Sequence, residues 1–400
     1  MPRIVVLGAG FAGLWAALGA ARKRDESGAR DVEILVIDRN PYHNIRVRNY
    51  EVDISDVAIP LAELLDPVGV KHRLAEVQAI DPVKRQVSVA SPSGSEIVGY
   101  DRLVLALGSE LTRPAIPGLA ANGFDVDTYT AALRLDAHLA ALGKQADGEG
   151  STVVIVGAGF TGIEVATEMP GRLEKAGLSG KRRVILVDPG AAVGGTLGEG
   201  ARPIVNQALA DLGVEVRFNA RVTSIDANTA TLSSGEIIPT RTVVWCAGMK
   251  ASPVAESIAV ERDRLGRLHV DQFMRVAGAA NIFAAGDMAS CIVDGKHPTV
   301  MSCQFARPMG RFAGNNVVAD LLGQAMLPLE IDWYVTVLDL GKWGALQTVG
   351  WDRQLHASGA AAKAVKQMIN RQRIYPPRTG AREDLLAAAA PTVQAPPAKR

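Results

Sequence analysis

Arg3 to Ala17 reads RIVVLGAGFAGLWAA, and Thr152 to Ala166 reads TVVIVGAGFTGIEVA. The two stretches match almost position for position, with Gly8 answered by Gly157, 149 residues later. Each is a β-branched run, then a turn of spaced glycines, then a helical pattern. Each continues to a second strand that ends in an acid, EILVID at Asp38 and VILVD at Asp188, 25 and 26 residues past the last glycine. A later strand in each copy closes on glycine, YDRLVLALGS at Gly108 and TVVWCAG at Gly248. This is the pattern of two βαβ units, and it predicts an α/β fold with two Rossmann-like dinucleotide-binding domains.

A third glycine-ended strand, NIFAAGD from Asn281 to Asp287, has no counterpart in the repeat. It is expected to return the chain to the first domain. That domain is then discontinuous, residues 1–112 and 249–325, with the second domain inserted at 113–248. Residues 326–375 form a C-terminal region, with strands in DWYVTVLDL and ALQTVGW and then a helix. The Ala- and Pro-rich residues 376–400 read as a disordered tail.

The glycines have separate tasks. Gly8 and Gly157 make the strand-to-helix turn, Gly10 and Gly159 let backbone approach a pyrophosphate, and Gly13 and Gly162 let helix and strand pack closely. The phosphates then meet free N–H groups at a helix N-terminus. Asp38 and Asp188 suit adenosine ribose hydroxyls, so both sites predict an unphosphorylated ribose. Pro189 and Gly190 follow Asp188, with no arginine there for a 2′-phosphate, which favours NAD over NADP. Small residues before Gly286 leave room for a ligand, and Asp287 either binds sugar-like hydroxyls, such as the ribityl chain of FAD, or caps a turn. FAD in the first unit and NADH in the second would make a hydride relay.

Composition narrows the rest. With 43 basic and 42 acidic side chains the net charge is +1, which gives the chain as a whole no electrostatic reason to bind nucleic acid. Its three cysteines, Cys246, Cys291 and Cys303, are far apart and form no CxxC. Neither a disulfide framework nor a metal site is expected, and a reducing, cytoplasmic setting fits. No apolar run reaches the ~18 residues of a spanning helix. From Gln354 to Arg382 there are six basic residues, Lys363, Lys366, Arg371, Arg373, Arg378 and Arg382, and no acidic one. Ala361, Val365, Met368 and Ile369 share a helical face opposite Lys363, Lys366 and Arg373. The segment reads either as a peripheral helix on an anionic membrane surface or as a docked, solvated helix.

These residues resemble the two-dinucleotide-binding-domain flavoproteins, and more narrowly the type II NADH dehydrogenases, which are single-chain NADH:quinone oxidoreductases. GAGFTGIEVATE from Gly157 carries the likeness best, with YDRLVLALGS and NIFAAGD beside it, and the likeness covers about residues 3 to 350. It implies that Gly8, Gly10, Gly13, Asp38 and Asp287 bind FAD and that Gly157, Gly159, Gly162 and Asp188 bind NADH. Glu164 would lie near nicotinamide and flavin, as the candidate catalytic residue that orients nicotinamide or handles a proton. The family's quinone motif, Ala-Gln-x-Ala-x-Gln, is answered by Cys303, Gln304, Phe305, Ala306, Arg307 and Pro308. Gln304 persists as the candidate acceptor contact, while cysteine and proline replace the first alanine and last glutamine. PYHNIRVRNYE from Pro41 keeps the Tyr-His pair but has arginines and asparagines where the family is apolar.

The sequence thus favours an FAD-dependent NADH dehydrogenase reducing a quinone or similar small acceptor. An NADH-dependent reductase of a redox protein or another small acceptor is the alternative. An FAD- and NAD-binding redox sensor is the alternative of another class. Homodimer formation stays open. Arg46 and Arg48 read as anion contacts or as solvated, and His43 as functional or as a packing residue. Trp333, Trp343 and Trp351 cover the cleft or form the core of the C-terminal region. The three cysteines read as buried apolar residues, and Cys303 is the one near the acceptor helix. Met309, Phe312, Ala313, Val317 and Leu321 predict a helix that starts near Gln304, with Gly323 at its C′ position.

Overall fold

The computed structural model describes residues 1–144, 152–178, 180, 182–195 and 197–397. Two five-stranded parallel sheets organise the chain. In space, the first runs Ile282–Ala284, Arg102–Leu105, Arg3–Leu7, Glu33–Asp38, Lys71–Leu74. The second repeats the plan with Gly123–Phe124, Thr242–Trp245, Thr152–Val156, Arg183–Val187, Val214–Arg217. The β-branched runs form the inner strands because both faces are covered: Ile4, Val5, Val6 and Leu7 are each 0% exposed. The strand of NIFAAGD lies at the edge of the first sheet, beside Arg102–Leu105.

Two short strands carry the chain between the sheets. Ser109–Leu111 leaves and Met249–Ala251 returns, and they pair antiparallel from Ser109 against Ala251 to Leu111 against Met249. Next to the first sheet, helix Phe11–Glu26 packs against helix Cys303–Leu321 at backbone distance. A Cβ on Gly310 would lie 2.3 Å from the Ala12 carbonyl oxygen, and one on Gly314 2.1 Å from that of Ala16. Gly323 follows at φ +66°, and its N–H reaches the Asp320 carbonyl.

The C-terminal region is an antiparallel sheet of Val335–Asp339, Ala345–Val349 and Gln354–Ser358, followed by helix Gly359–Met368. It packs on helix Phe160–Lys175, and Gly341 at φ +60° leaves only enough space for the Thr167 carbonyl. Trp343 donates from Nε1 to Asp211 at 2.9 Å, while Trp351 stacks on Tyr334 and His297.

One expectation fails here, and the placement of Lys366 on the outward face of the basic helix is corrected. The tail expected to be disordered folds back instead: helix Arg382–Ala388 lies on helix Phe11–Glu26, with Leu385 and Ala389 both fully buried. Arg382 pairs with Asp25 and donates to the Pro67 carbonyl at 2.7 Å. Alanine is the best helix former, so an alanine-rich stretch needs only a few buried apolar anchors to dock. The basic face of Gly359–Met368 also does not point outward as a unit. Ala362, Val365 and Lys366 are buried, and Lys363 reaches Asp339. Among the described residues, no helix is long and apolar enough to cross a membrane.

Candidate active site

The two glycine turns have the same geometry. Gly8 and Gly157 adopt φ +95° and +103°, which L side chains rarely reach. A Cβ on Gly13 would fall 1.8 Å from the Gly8 carbonyl oxygen, and one on Gly162 1.7 Å from that of Gly157. Gly10 and Gly159 have nothing within 4 Å on that side, so both turns present bare backbone to open space. Asp38 accepts from the N–H groups of Ala9 and Asn40, each at 2.7 Å. Asp188 likewise accepts from Ala158 at 2.6 Å and Gly190 at 2.7 Å. Each carboxylate therefore lies beside a helix N-terminus with unpaired donors, a fit for the ribose and pyrophosphate of a dinucleotide.

One cleft of about 650 Å³ runs from the first turn to the opening of helix Phe160–Lys175. It brings together Gly8, Gly10, Asp38, Gly108, Asp287, Glu164 and Gln304. Gly157, Gly159, Gly162, Asp188, Gly248, Gly13 and Gly286 do not line it. Of these, Gly13 and Gly286 lie underneath as packing contacts, with a Cβ on Gly286 2.7 Å from that of Ala12. Asp287 accepts from the Ser109 hydroxyl at 2.6 Å, and Arg46 is 3.9 Å away. Gly248 abuts the Thr112 side chain at φ +79°.

Glu164 is buried beside the cleft. Its Oε1 accepts from Lys366 Nζ at 2.7 Å and from the Asp339 N–H at 3.0 Å. Burial pushes the Glu164 carboxyl up, against the pull of Lys366. Burial disfavours the Lys366 ammonium, but the Glu164 and Asp339 carboxylates outweigh it and hold its pKa above the ordinary value. The pair therefore retains a proton next to the cleft. Lys363 bridges Asp339 at 2.5 Å and Glu168 at 3.6 Å, and burial raises Glu168 to about 7.

Arg46 and Arg48 have other tasks than those expected, while His43 and the cysteines follow their packing readings. Arg48 is neither an anion contact nor solvated; it is buried against Glu51 and Asp56. Arg46 pairs with Asp127 and donates to the Ser109 carbonyl at 3.1 Å. His43 Nδ1 donates to the Ala9 carbonyl at 2.8 Å and braces the first turn, and burial lowers its pKa to about 4. All three thiols are pushed up by burial, away from the reactive range. Gln304 Nε2 is buried in the cleft wall without a partner among the described residues. Nothing in the sequence marks Asp339 or Arg311 as site residues, and it gives Lys366 only a place on a basic helix and Arg307 only a place inside the quinone-like motif. An ammonium on the buried side of an amphipathic helix was the available signal for Lys366.

Residues 2–310 match the pyridine nucleotide-disulphide oxidoreductase family. The chain is 54% identical to an NADH dehydrogenase-like protein of Mycobacterium tuberculosis, covering 98% of this chain and 99% of the relative. It is 31% identical to a demethylphylloquinone reductase of Synechocystis sp., over 92% and 91% of the two chains. Its fold is shared with NDH2 from Plasmodium falciparum, with a TM-score of 0.79 at 13% identity and 97% of each chain covered. The chain belongs to the pyridine nucleotide-disulphide oxidoreductase family, among its NADH dehydrogenase-like members.

Proposed function

We propose that this NADH-dependent flavoprotein oxidoreductase delivers its electrons to a quinone. FAD and NADH are its cofactors. When bound, FAD would supply the redox chemistry, acceptance of hydride from NADH and delivery of two electrons to the acceptor. One observation carries the reading: a single cleft connects the first glycine turn, the buried Glu164–Lys366 pair and the unpartnered Gln304 amide.

In this reading the turn from Gly8 to Gly13, with Asp38 and Asp287, holds FAD. Gly157, Gly159, Gly162 and Asp188 hold NADH. Gly108 and Gly248, each at positive φ, end strands beside the two sites. Glu164 orients nicotinamide, and the proton of the pair is held between its Oε1 and Lys366 Nζ, which fixes the carboxyl. Gln304 Nε2 donates to an acceptor carbonyl, which would satisfy a donor that is otherwise costly to bury. The demethylphylloquinone reductase, 31% identical, supports an acceptor of this class.

Anaerobic stopped-flow measurements test the proposal. NADH should bleach the flavin rapidly, and a quinone should restore it at the turnover rate. Glu164→Gln should retain FAD and turn over more slowly. Rapid bleaching without quinone reoxidation would remove the acceptor, and an unchanged rate in Glu164→Gln would remove that residue from the reaction.

A further inference from the structure

Six arginines are buried among the described residues: Arg24, Arg48, Arg172, Arg267, Arg307 and Arg311. The first four each have a carboxylate, respectively Asp25, Glu51 with Asp56, Asp136, and Asp263. Arg307 and Arg311, 6% and 4% exposed, have no carboxylate partner among the described residues. They lie one turn apart on helix Cys303–Leu321 and share one aromatic ring, with their guanidinium carbons 5.2 and 4.4 Å from the Trp15 ring centroid. Arg373 contributes a third charge from the C-terminal region, again without a carboxylate. All three line the cleft.

Their polar contacts are neutral. Arg307 Nη1 donates to Gln394 Oε1 at 3.1 Å, Arg311 Nη1 to the Thr392 carbonyl at 3.4 Å, and Arg373 Nη2 to the Ala395 carbonyl. The Nε atoms of Arg307 and Arg311 are buried with no partner among the described residues. Burial first, then repulsion from neighbouring guanidiniums, lowers Arg307 to about 9 and Arg311 to about 10, still high enough to stay charged at neutral pH. A buried charge without a counter-ion is strongly unfavourable, and stacking on Trp15 offsets only part of that cost. Guanidinium forks match planar oxyanions. Gln304, one turn before Arg307, places its own unpartnered amide on the same wall.

We propose that Arg307, Arg311 and Arg373 form an anion subsite that receives a carboxylate or sulfonate carried by the acceptor, while its ring lies toward Gln304. The inference deepens the quinone reading and rests on it for the identity of the ligand. It specifies the class as a ring acceptor with an acidic substituent, received by arginines that the tail residues Thr392 to Ala395 help to position.

The test uses the FAD-loaded full chain. Turnover with NADH is compared for 1,4-naphthoquinone and 1,4-naphthoquinone-2-sulfonate. The ratio of kcat/KM, sulfonate over neutral, should fall about tenfold in Arg311→Gln, the size of one lost charged hydrogen bond. Arg373→Gln, at a half-buried position, should lower the ratio in the same direction should the first variant fold poorly. Equal losses for both acceptors would overturn the subsite. Calorimetric titration with unreactive 2-naphthoate supplies a readout independent of turnover. Wild type should bind it with an affinity that weakens in salt, and Arg311→Gln should weaken it further; no binding to wild type defeats the proposal. Binding to FAD-free but not to FAD-loaded protein would assign the arginines to FAD and overturn it as well. If no quinone is turned over but 2-naphthoate binds, the acceptor reading fails and the anion subsite stands.

Discussion

Trp15 and Glu164 occupy the same place in the two repeats, seven residues past Gly8 and Gly157. The turns before them are nearly superimposable in their glycine contacts, yet the two side chains hold cations by opposite means. The Trp15 face carries two arginines, and the Glu164 carboxylate carries one lysine. The difference continues along the helices. Ala16, Gly19 and Ala20 let a neighbouring helix approach at backbone distance, whereas Val165, Glu168 and Met169 stand at the matching positions of the second unit. A C-terminal sheet packs there instead, and Lys363 and Lys366 meet the acids. A duplicated turn thus preserves nucleotide geometry while the exposed side of the following helix determines which partner it gathers.

The sharpest way to break this comparison is through the buried pair. Lys366→Met leaves Glu164 buried without its counter-charge and should cost about 3–5 kcal/mol in chemical denaturation. Adding Glu164→Gln should recover most of that loss, since removing both charges of a buried pair is often near neutral. Strict additivity would mean that the two residues do not act as a pair. Equivalent changes at Trp15 have no such rescue, because an aromatic face carries no net charge.

Next in size are the turns. Gly13→Ala and Gly162→Ala each drive a Cβ into a carbonyl oxygen, overpacking worth about 1–3 kcal/mol locally. Purified Gly13→Ala should lose flavin absorbance. Gly162→Ala should keep its flavin and show a raised KM for NADH. Should both lose flavin equally, the division of labour between the repeats is wrong.

The smallest effect concerns pH. Glu168 has its folded pKa raised from 4.5 to about 7, so the folded protein binds more protons than the unfolded chain between these values. Its contribution is full below pH 4.5 and is lost as pH rises through 7. Wild type should therefore lose Tm more steeply than Glu168→Gln from pH 5 to 8. Parallel profiles would show that the carboxyl titrates normally. The first repeat has Gly19 at this position and no corresponding titration.

Both sheets, their acid-ended strands and the glycine turns were legible because periodicity and turn chemistry are local properties of sequence. The partner of Glu164 was not, since Lys366 lies 202 residues away on a helix whose basic residues read as a solvated face. The role of Gly310 and Gly314 became interpretable only once they were seen against the carbonyls of the first helix. Composition alone made the tail look structureless; Leu385 reveals a helix only when the surface that receives it is known. Trp15 and the arginines above it show the same limit. Their contact joins distant segments and leaves no trace in the spacing of either.

The two-stranded ribbon of Ser109–Leu111 and Met249–Ala251 has an evolutionary consequence. Because the departing and returning strands are already bonded side by side, a recombination event cutting both would move the whole intervening unit as a cassette. In a recipient with the same ribbon, the donor ends would meet a ladder ready to receive them, so the second sheet is exchangeable without rebuilding the first.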